Sequence, residues 1–283
     1  MTQTSTQRYR AGMPQLSFTG LSENWLLKTC GQHHWDLLAK QSERASSEMF
    51  DDVGSRSYAA FTAIRLRARG LDAISEDCDF TIDSALSRVG QARHFSTHRV
   101  SCSEGIECHV DMVSTFVKRR QAGSNRSIAR ATLNSLNAGI VAFPPGGAEL
   151  PLDSKRFRAP DPAEEGAMLR ELGLAPLPEG ERTSEFLPCP NGDFNGADLL
   201  YFASFQAITD RTEWQRKRYS RPPVTVGRDL HFYGNVDLGD ALVVHVLGER
   251  IDETGVAHWC RFARRSDGEK IADVVTHKQW VNR

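Results

Sequence analysis

One pattern constrains the fold of this chain more than any other: a long apolar helix followed by a run of strand signals between tight turns, and then the same order again. The first helix is predicted from Leu21 to Lys40, with Ser22 as its N-cap, Glu23 in the first turn, where the helix dipole favours a carboxylate, and Trp25, Leu26, Trp35, Leu37 and Leu38 on its apolar faces. Strand patterns follow at Tyr58 to Arg69, Phe80 to Val89, Ala92 to Cys102 and Ile106 to Arg119, with a Gly123-Ser124-Asn125 turn leading to a further run from Ser127 to Leu136. The second helix is expected from Gly196 to about Gln215, and strands at Val224 to Phe232, Asp240 to Arg250, Val256 to Arg265 and Ile271 to Val281. Between the two series, prolines and glycines from Pro144 to Pro190 leave room for only short structure.

The repeat is weak in letters. Leu26-Leu27 can be set against Leu199-Leu200, and Phe116-x-x-Arg119 against Phe262-x-x-Arg265, each of the latter pair being followed by a glycine turn and an Ile-Ala pair. The two alignments need different offsets, which places extra chain in the first half at Gln41 to Ser55 and around Gly70 to Asp79. A buried helix wrapped by an antiparallel sheet, occurring twice, is an α+β double hot-dog: a first unit over 1–143, a connector over 144–190 and a second unit over 191–283. Two such units side by side pair their sheets and remove the open edge that one would leave.

Composition narrows the function classes. With 35 Lys+Arg against 36 Asp+Glu the net charge is −1, so there is no cation excess to attract nucleic acid or an anionic membrane. The longest apolar runs, such as Ala241 to Val244, fall far short of the roughly 20 residues of a spanning helix. Met1 to Arg10 is polar and lacks the apolar core of a signal peptide, so a cytoplasmic protein is expected. The six cysteines contain no CxxC pair, which favours reduced structural thiols over a zinc ribbon or a disulfide framework.

Three stretches carry a resemblance: Gly20-Leu-Ser-Glu-Asn-Trp-Leu-Leu-Lys28 with His34-Trp35, Ser55-Arg-Ser-Tyr58-Ala, and Asn191-Gly-Asp-Phe-Asn195-Gly-Ala-Asp-Leu-Leu-Tyr201-Phe. From about Phe18 to Trp280 the chain resembles the double hot-dog bifunctional acyltransferase/decarboxylase family of leinamycin-type polyketide biosynthesis. Phe232-Tyr-Gly-Asn235-Val-Asp-Leu-Gly-Asp240 supports the fold more than the function. The resemblance implies an enzyme that decarboxylates methylmalonyl-CoA and passes the acyl group to an acyl carrier protein, with Tyr58 as acyl acceptor. Its partners would be the CoA thioester and the carrier protein, with no cofactor, no metal and a homodimer as one assembly open to it.

That chemistry leaves an enolate, so it needs donors aimed at the thioester oxygen, for which the N–H groups of the first turn of either helix are available. A tyrosine nucleophile needs a neighbouring cation, and Arg56 and Arg88 are the candidates. Asn24 either orients a thioester carbonyl or is an ordinary polar residue of the first turn. His34 is either a packed, hydrogen-bonded imidazole or an acid–base group, and Arg88 either points inward to an anion or outward to water. Asp193, Asn195 and Asp198 gather before the second helix and read as caps, while His231, His245, His258 and His277 show no metal-ligand spacing. The arginines at Arg119-Arg120, Arg216 to Arg218 and Arg264-Arg265 are the local cations available to CoA phosphates or an acidic carrier protein. Two further functions share the fold: a dehydratase or thioesterase working through a His/Asp or Glu/Asp dyad on helix and strand, and a module that binds acyl chains without turnover.

Overall fold

The computed structural model describes residues 2–103, 105–133, 139–178 and 183–281. The chain divides into two compact units, Met1–Pro151 and Leu152–Arg283. Among the described residues no helix is long and apolar enough to cross a membrane.

The first unit opens with β1 (Gln3–Arg10), a small hairpin of β2 (Leu16–Ser17) and β3 (Gly20–Leu21), and the central helix α1 (Glu23–Ser42). It continues through β4 (Tyr58–Arg69), β5 (Asp79–Arg88), β6 (Arg93–Cys102), β7 (Glu107–Arg119) and β8 (Ile128–Arg130). Its sheet runs β1-β5-β6-β7-β4, antiparallel throughout. Helix α1 forms where the spacing demanded it: Ser22 accepts from the Trp25 N–H, and Leu26, Leu27, Cys30, His33, His34, Leu37 and Leu38 are buried on one face at three- and four-residue intervals. Each buried leucine contributes about 1.5–3 kcal/mol of apolar burial. Gly20, at the turn into the helix, has φ 99°, and a Cβ there would sit 2.2 Å from the Leu71 carbonyl oxygen, so only glycine lets the two backbones approach.

Helix α2 (Glu149–Arg158) spans the boundary, and α3 (Pro162–Glu171) follows, with Asp161 and Glu164 in a reciprocal capping box and Pro162 in the first turn. The stretch read as room for only short structure therefore carries two ten-residue helices. The second unit adds β9 (Ala175–Pro176), β10 (Thr183–Phe186), α4 (Pro190–Asp193), the central helix α5 (Phe202–Arg216), β11 (Val224–Phe232), β12 (Leu242–Ile251), β13 (Gly255–Arg264) and β14 (Lys270–Gln279). Its sheet runs β10-β12-β13-β14-β11. Helix α5 starts at Phe202 and not at Gly196, because the Asn195 amide oxygen accepts from the Ala197 and Leu199 N–H groups and holds that segment in a turn, with Asp198 at φ 57°. Asp193 likewise accepts from the Cys189 N–H, so these residues shape the approach to α5 and do not cap it.

The two sheet orders match strand for strand, edge strands included, and this is the double hot-dog. The equivalences differ from those the sequence alignment suggested. Tyr58 now stands against Val224, Asp79 against Leu242, Arg93 against Gly255 and Glu107 against Lys270, at a nearly constant offset. Phe116 lies in β7 and Phe262 in β13, which are not equivalent strands, and Leu199-Leu200 precede α5 whereas Leu26-Leu27 lie inside α1. Any two half-buried strands share a period of two, so a short matching motif does not say which strand is which. Of the described residues in the run from Ser127 to Leu136, Ile128–Arg130 form strand, paired with β7, and Asn134, Ser135 and Leu136 lie outside the described residues.

Candidate active site

The four residues singled out in the sequence do not meet. Asn24 is the second residue of α1 and half-buried, while His34 is ten residues further along, about 15 Å at helical rise. Tyr58 opens β4, where Ala59 and Phe61 face the helix: Ala59 packs with Leu37 and Leu38, and the Phe61 ring meets His34 edge-on at 4.9 Å. By alternation Tyr58 lies on the opposite face of the sheet. There two guanidinium groups lie against its ring, Arg56 at 5.3 Å and Arg119 at 5.6 Å from the centroid. Arg88 is not part of that group, since it closes the β5–β6 turn by donating to the Gly90 and Gln91 carbonyls. His34 is fully buried with both ring nitrogens engaged, Nδ1 2.7 Å from the Ser96 hydroxyl and Nε2 2.8 Å from that of Ser114.

A different constellation assembles in the second unit. On α5, Gln206, Asp210 and Glu213 follow one another at helical spacing toward the sheet. The sheet presents His258 and Cys260 from β13, Thr276 and Lys278 from β14, and Arg228 from β11, with His258, Thr276 and Arg228 in one row across three strands. Arg228, fully buried, donates to Asp210 at 2.8 Å and to the Thr276 hydroxyl at 2.8 Å. Lys278 bridges Asp210 and Glu213, 2.9 Å from each, and Gln206 donates to the other Asp210 oxygen. Placing these four charges between helix and sheet without partners would be prohibitive; here each faces an opposite charge and a hydrogen-bond partner.

Within this network, Glu213 and His258 form a helix–strand dyad: Nε2 of the imidazole lies 2.8 Å from the Glu213 carboxylate. Burial pushes the Glu213 carboxyl up, but the hydrogen bond from His258 and the charge on Lys278 outweigh it and hold the group below the usual carboxylate range. An ionised Glu213 accepts the Nε2 proton and so fixes the tautomer, leaving Nδ1 as the basic nitrogen, 3.6 Å from the Cys260 sulfur. Burial pushes the Cys260 thiol up to about 12, so it stays protonated. Glu213, His258, Cys260, Tyr219, Arg216 and Glu249 wall a cavity of about 10 Å³, room for about one water molecule. The Tyr219 hydroxyl is buried in that wall with no hydrogen-bond partner among the described residues.

Sequence reasoning considered His258 only as a metal ligand and passed over Glu213, because the two are distant in the chain and share no local motif. A signal was present: Asp210 and Glu213 fall at helical spacing from the buried Phe202, Phe205 and Gln206, and His258-x-Cys260 places two reactive side chains on one face of a strand buried on both sides. Acids at core-facing positions need a partner, and that need was the legible part.

No protein-family model matches the chain, and no curated protein does. Among solved structures the fold is shared with a protein described as an oleoyl thioesterase from Lactobacillus plantarum, at 12% identity and a TM-score of 0.65 over 100% of this chain and 98% of that one. It is shared equally with a 12:0-ACP thioesterase from Umbellularia californica, at 10% identity and a TM-score of 0.62 over 98% and 97% of the two chains. An acyl-ACP thioesterase from Bacteroides thetaiotaomicron matches at 9% identity and a TM-score of 0.61 over 98% of both. At these identities the likeness is one of fold, and it spans the double hot-dog from end to end.

Proposed function

We propose that this protein is an enzyme acting on acyl thioesters, and that the second unit hydrolyses them with His258 as general base. The observation that carries the reading is the Glu213–His258 dyad at 2.8 Å beside a cavity of water size. Glu213 holds the imidazole by its Nε2–H, so Nδ1 takes a proton from a water in the cavity as the water oxygen attacks the thioester carbonyl. The Tyr219 O–H is the free donor in that wall for the developing oxyanion. Collapse of the intermediate breaks the carbon–sulfur bond, and the imidazolium returns its proton to the leaving thiolate. Acyl-CoA and acyl carrier protein are the substrates this reading names, in keeping with the thioesterases that share the fold.

Thiol release from acyl-CoA and acyl carrier protein substrates tests it. Glu213→Gln and His258→Gln should each lower kcat/KM by about 10²-fold or more, the usual worth of a positioned base, whereas Cys260→Ala should retain activity. Hydrolysis at the wild-type rate in both dyad variants would sink the assignment.

A second reading is favoured by the contact of Tyr58 with both Arg56 and Arg119. Two guanidinium groups place positive charge beside the phenol, which suits decarboxylation of methylmalonyl-CoA with transfer of the propionyl group through an acyl-tyrosine to a carrier protein. Here the test is intact-protein mass after incubation with labelled methylmalonyl-CoA. A propionyl-sized increment that disappears in Tyr58→Phe supports this route, and carbon dioxide release with unchanged acyl transfer by the variant removes it.

A further inference from the structure

The first unit contains a line of polar side chains that neither reading uses. The Tyr9 hydroxyl lies 2.8 Å from His33 Nε2, and His33 Nδ1 lies 2.9 Å from the Ser84 hydroxyl. Ser84 is 2.8 Å from His98 Nδ1, and His98 Nε2 is 2.9 Å from Ser96. Ser96 is 2.7 Å from His34 Nδ1, and His34 Nε2 is 2.8 Å from Ser114. Hydroxyl and imidazole thus alternate without a gap from β1 through α1, β5 and β6 to β7.

Every member has one proton when neutral, and every contact needs one. The line can therefore be polarised end to end in either of two senses with no group charged. In one sense His33 is protonated on Nδ1 and both His98 and His34 on Nε2; in the other, all three tautomers invert. Burial pushes His34 well below the ordinary imidazole range and His98 to about 3, so the neutral forms prevail near pH 7. One end is open: Tyr9 is half-buried, and a cavity of about 100 Å³ between β1 and α1 is lined by Ser5, Gln7, His33, Asp36 and Lys40. At the other end, beyond Ser114, stands His94, its direct partner across the β6–β7 ladder, fully buried and with neither ring nitrogen hydrogen-bonded among the described residues. Side chains directly opposite in such a ladder have Cβ atoms about 4.5–5.5 Å apart.

We infer that the interior of the first unit is a proton relay, and that His94 at its inner end is a buried acid–base site charged from solvent through Tyr9. In one passage a solvent proton binds the Tyr9 oxygen as the Tyr9 proton moves to His33 Nε2. The Nδ1 proton of His33 passes to Ser84, and so on by one step per contact as far as Ser114; no hydrogen bond joins Ser114 to His94, so the last transfer needs a turn of the Ser114 hydroxyl or of the His94 ring. Seven groups end neutral with their polarity reversed, and the single added charge is on His94 only in passing, because burial and the nearby Arg88 charge hold that imidazole down at about 4. From there the proton is available to an anionic carbon or oxygen on a ligand, or returns by the same path.

Deuterium exchange at the ring N–H groups of His34 and His98, read by NMR on histidine-labelled protein, tests the relay without reference to any enzymatic activity. In the wild type these protons should exchange faster than the backbone amides of Leu37 and Leu38, which open only with the core. Tyr9→Phe cuts the outer end and His94→Gln the inner acceptor. Each should slow exchange at His34 by about tenfold or more while the Leu37 and Leu38 amides keep their wild-type rates. Ring protons that exchange no faster than those amides, or that keep the wild-type rate in either variant, would overturn the relay.

Discussion

The two units share a strand order and a central helix but fill the space between helix and sheet in opposite ways. In the first, α1 meets the sheet through neutral imidazoles and hydroxyls. In the second, α5 meets it through Asp210 and Glu213 against Arg228 and Lys278. The strand order is alike, so the difference lies in the side chains that helix and sheet present to each other. It teaches that this scaffold sets where polar groups converge and leaves open what they do once there.

The contrast can be tested first with acid, where the largest effect is expected. Burial keeps His94 at about 4 and His98 at about 3 in the folded state and His34 well below 6.5, the ordinary value for an unfolded imidazole. As the pH falls below about 6.5, the unfolded chain binds protons that the folded unit does not. Stability is then lost at about 1.4 kcal/mol per pH unit for each such histidine until its folded value is reached. Asp210 and Glu213 are held below the usual carboxylate range in the folded state, so what they contribute persists down to about pH 4 and is lost below it. Hydrogen exchange by mass spectrometry, resolved by unit, should show the first unit losing protection between pH 6.5 and 4.5 ahead of the second. Simultaneous loss in both would contradict the contrast.

Smaller effects sharpen it. Arg228→Met removes one cation from a buried network and leaves Asp210 with Lys278 and the Gln206 amide; about 3–5 kcal/mol should be lost on urea unfolding. Ser96→Ala removes the hydroxyl that joins His98 to His34 but strands only neutral groups, so about 1–3 kcal/mol is expected by the same measurement. A neutral break that cost more than the ionic one would reverse the ranking. Smallest is Ser22→Ala, which removes the α1 cap for about 1 kcal/mol.

Much of the fold was legible because periodicity was strong. The boundaries expected for β4 and β11 are those observed, and α1 ends within two residues of its expected limits with the cap that was read for it. What escaped was structure decided by partners at a distance. The edge strand β1, Gln-Thr-Ser-Thr-Gln-Arg-Tyr-Arg, has no apolar alternation and exists because β5 offers a row of backbone groups. Strand β10 has four residues and the same cause. Helix α3 hid behind a proline count, although Pro162 occupies the one helical turn where proline is welcome. For the site, Tyr58 was read without knowing which face of β4 it occupied, and one position of strand phase separates the helix side from the opposite one. Glu213 and His258 become neighbours only when α5 docks on β13, which no spacing in the chain records.

The adjacent pair His33-His34 has a mechanical consequence. Successive helical residues point about 100° apart, yet both imidazoles are engaged, His33 by Ser84 and Tyr9, His34 by Ser96 and Ser114. Leucines on a helix tolerate a small roll or slide because apolar contact has no direction. Two imidazoles keyed to hydroxyls on four different strands do not: turning α1 by one residue, or shifting it by one step, would empty every one of those contacts together. The pair therefore acts as a double key for the docking of helix on sheet, selecting one angular setting from the many that greasy packing alone would accept.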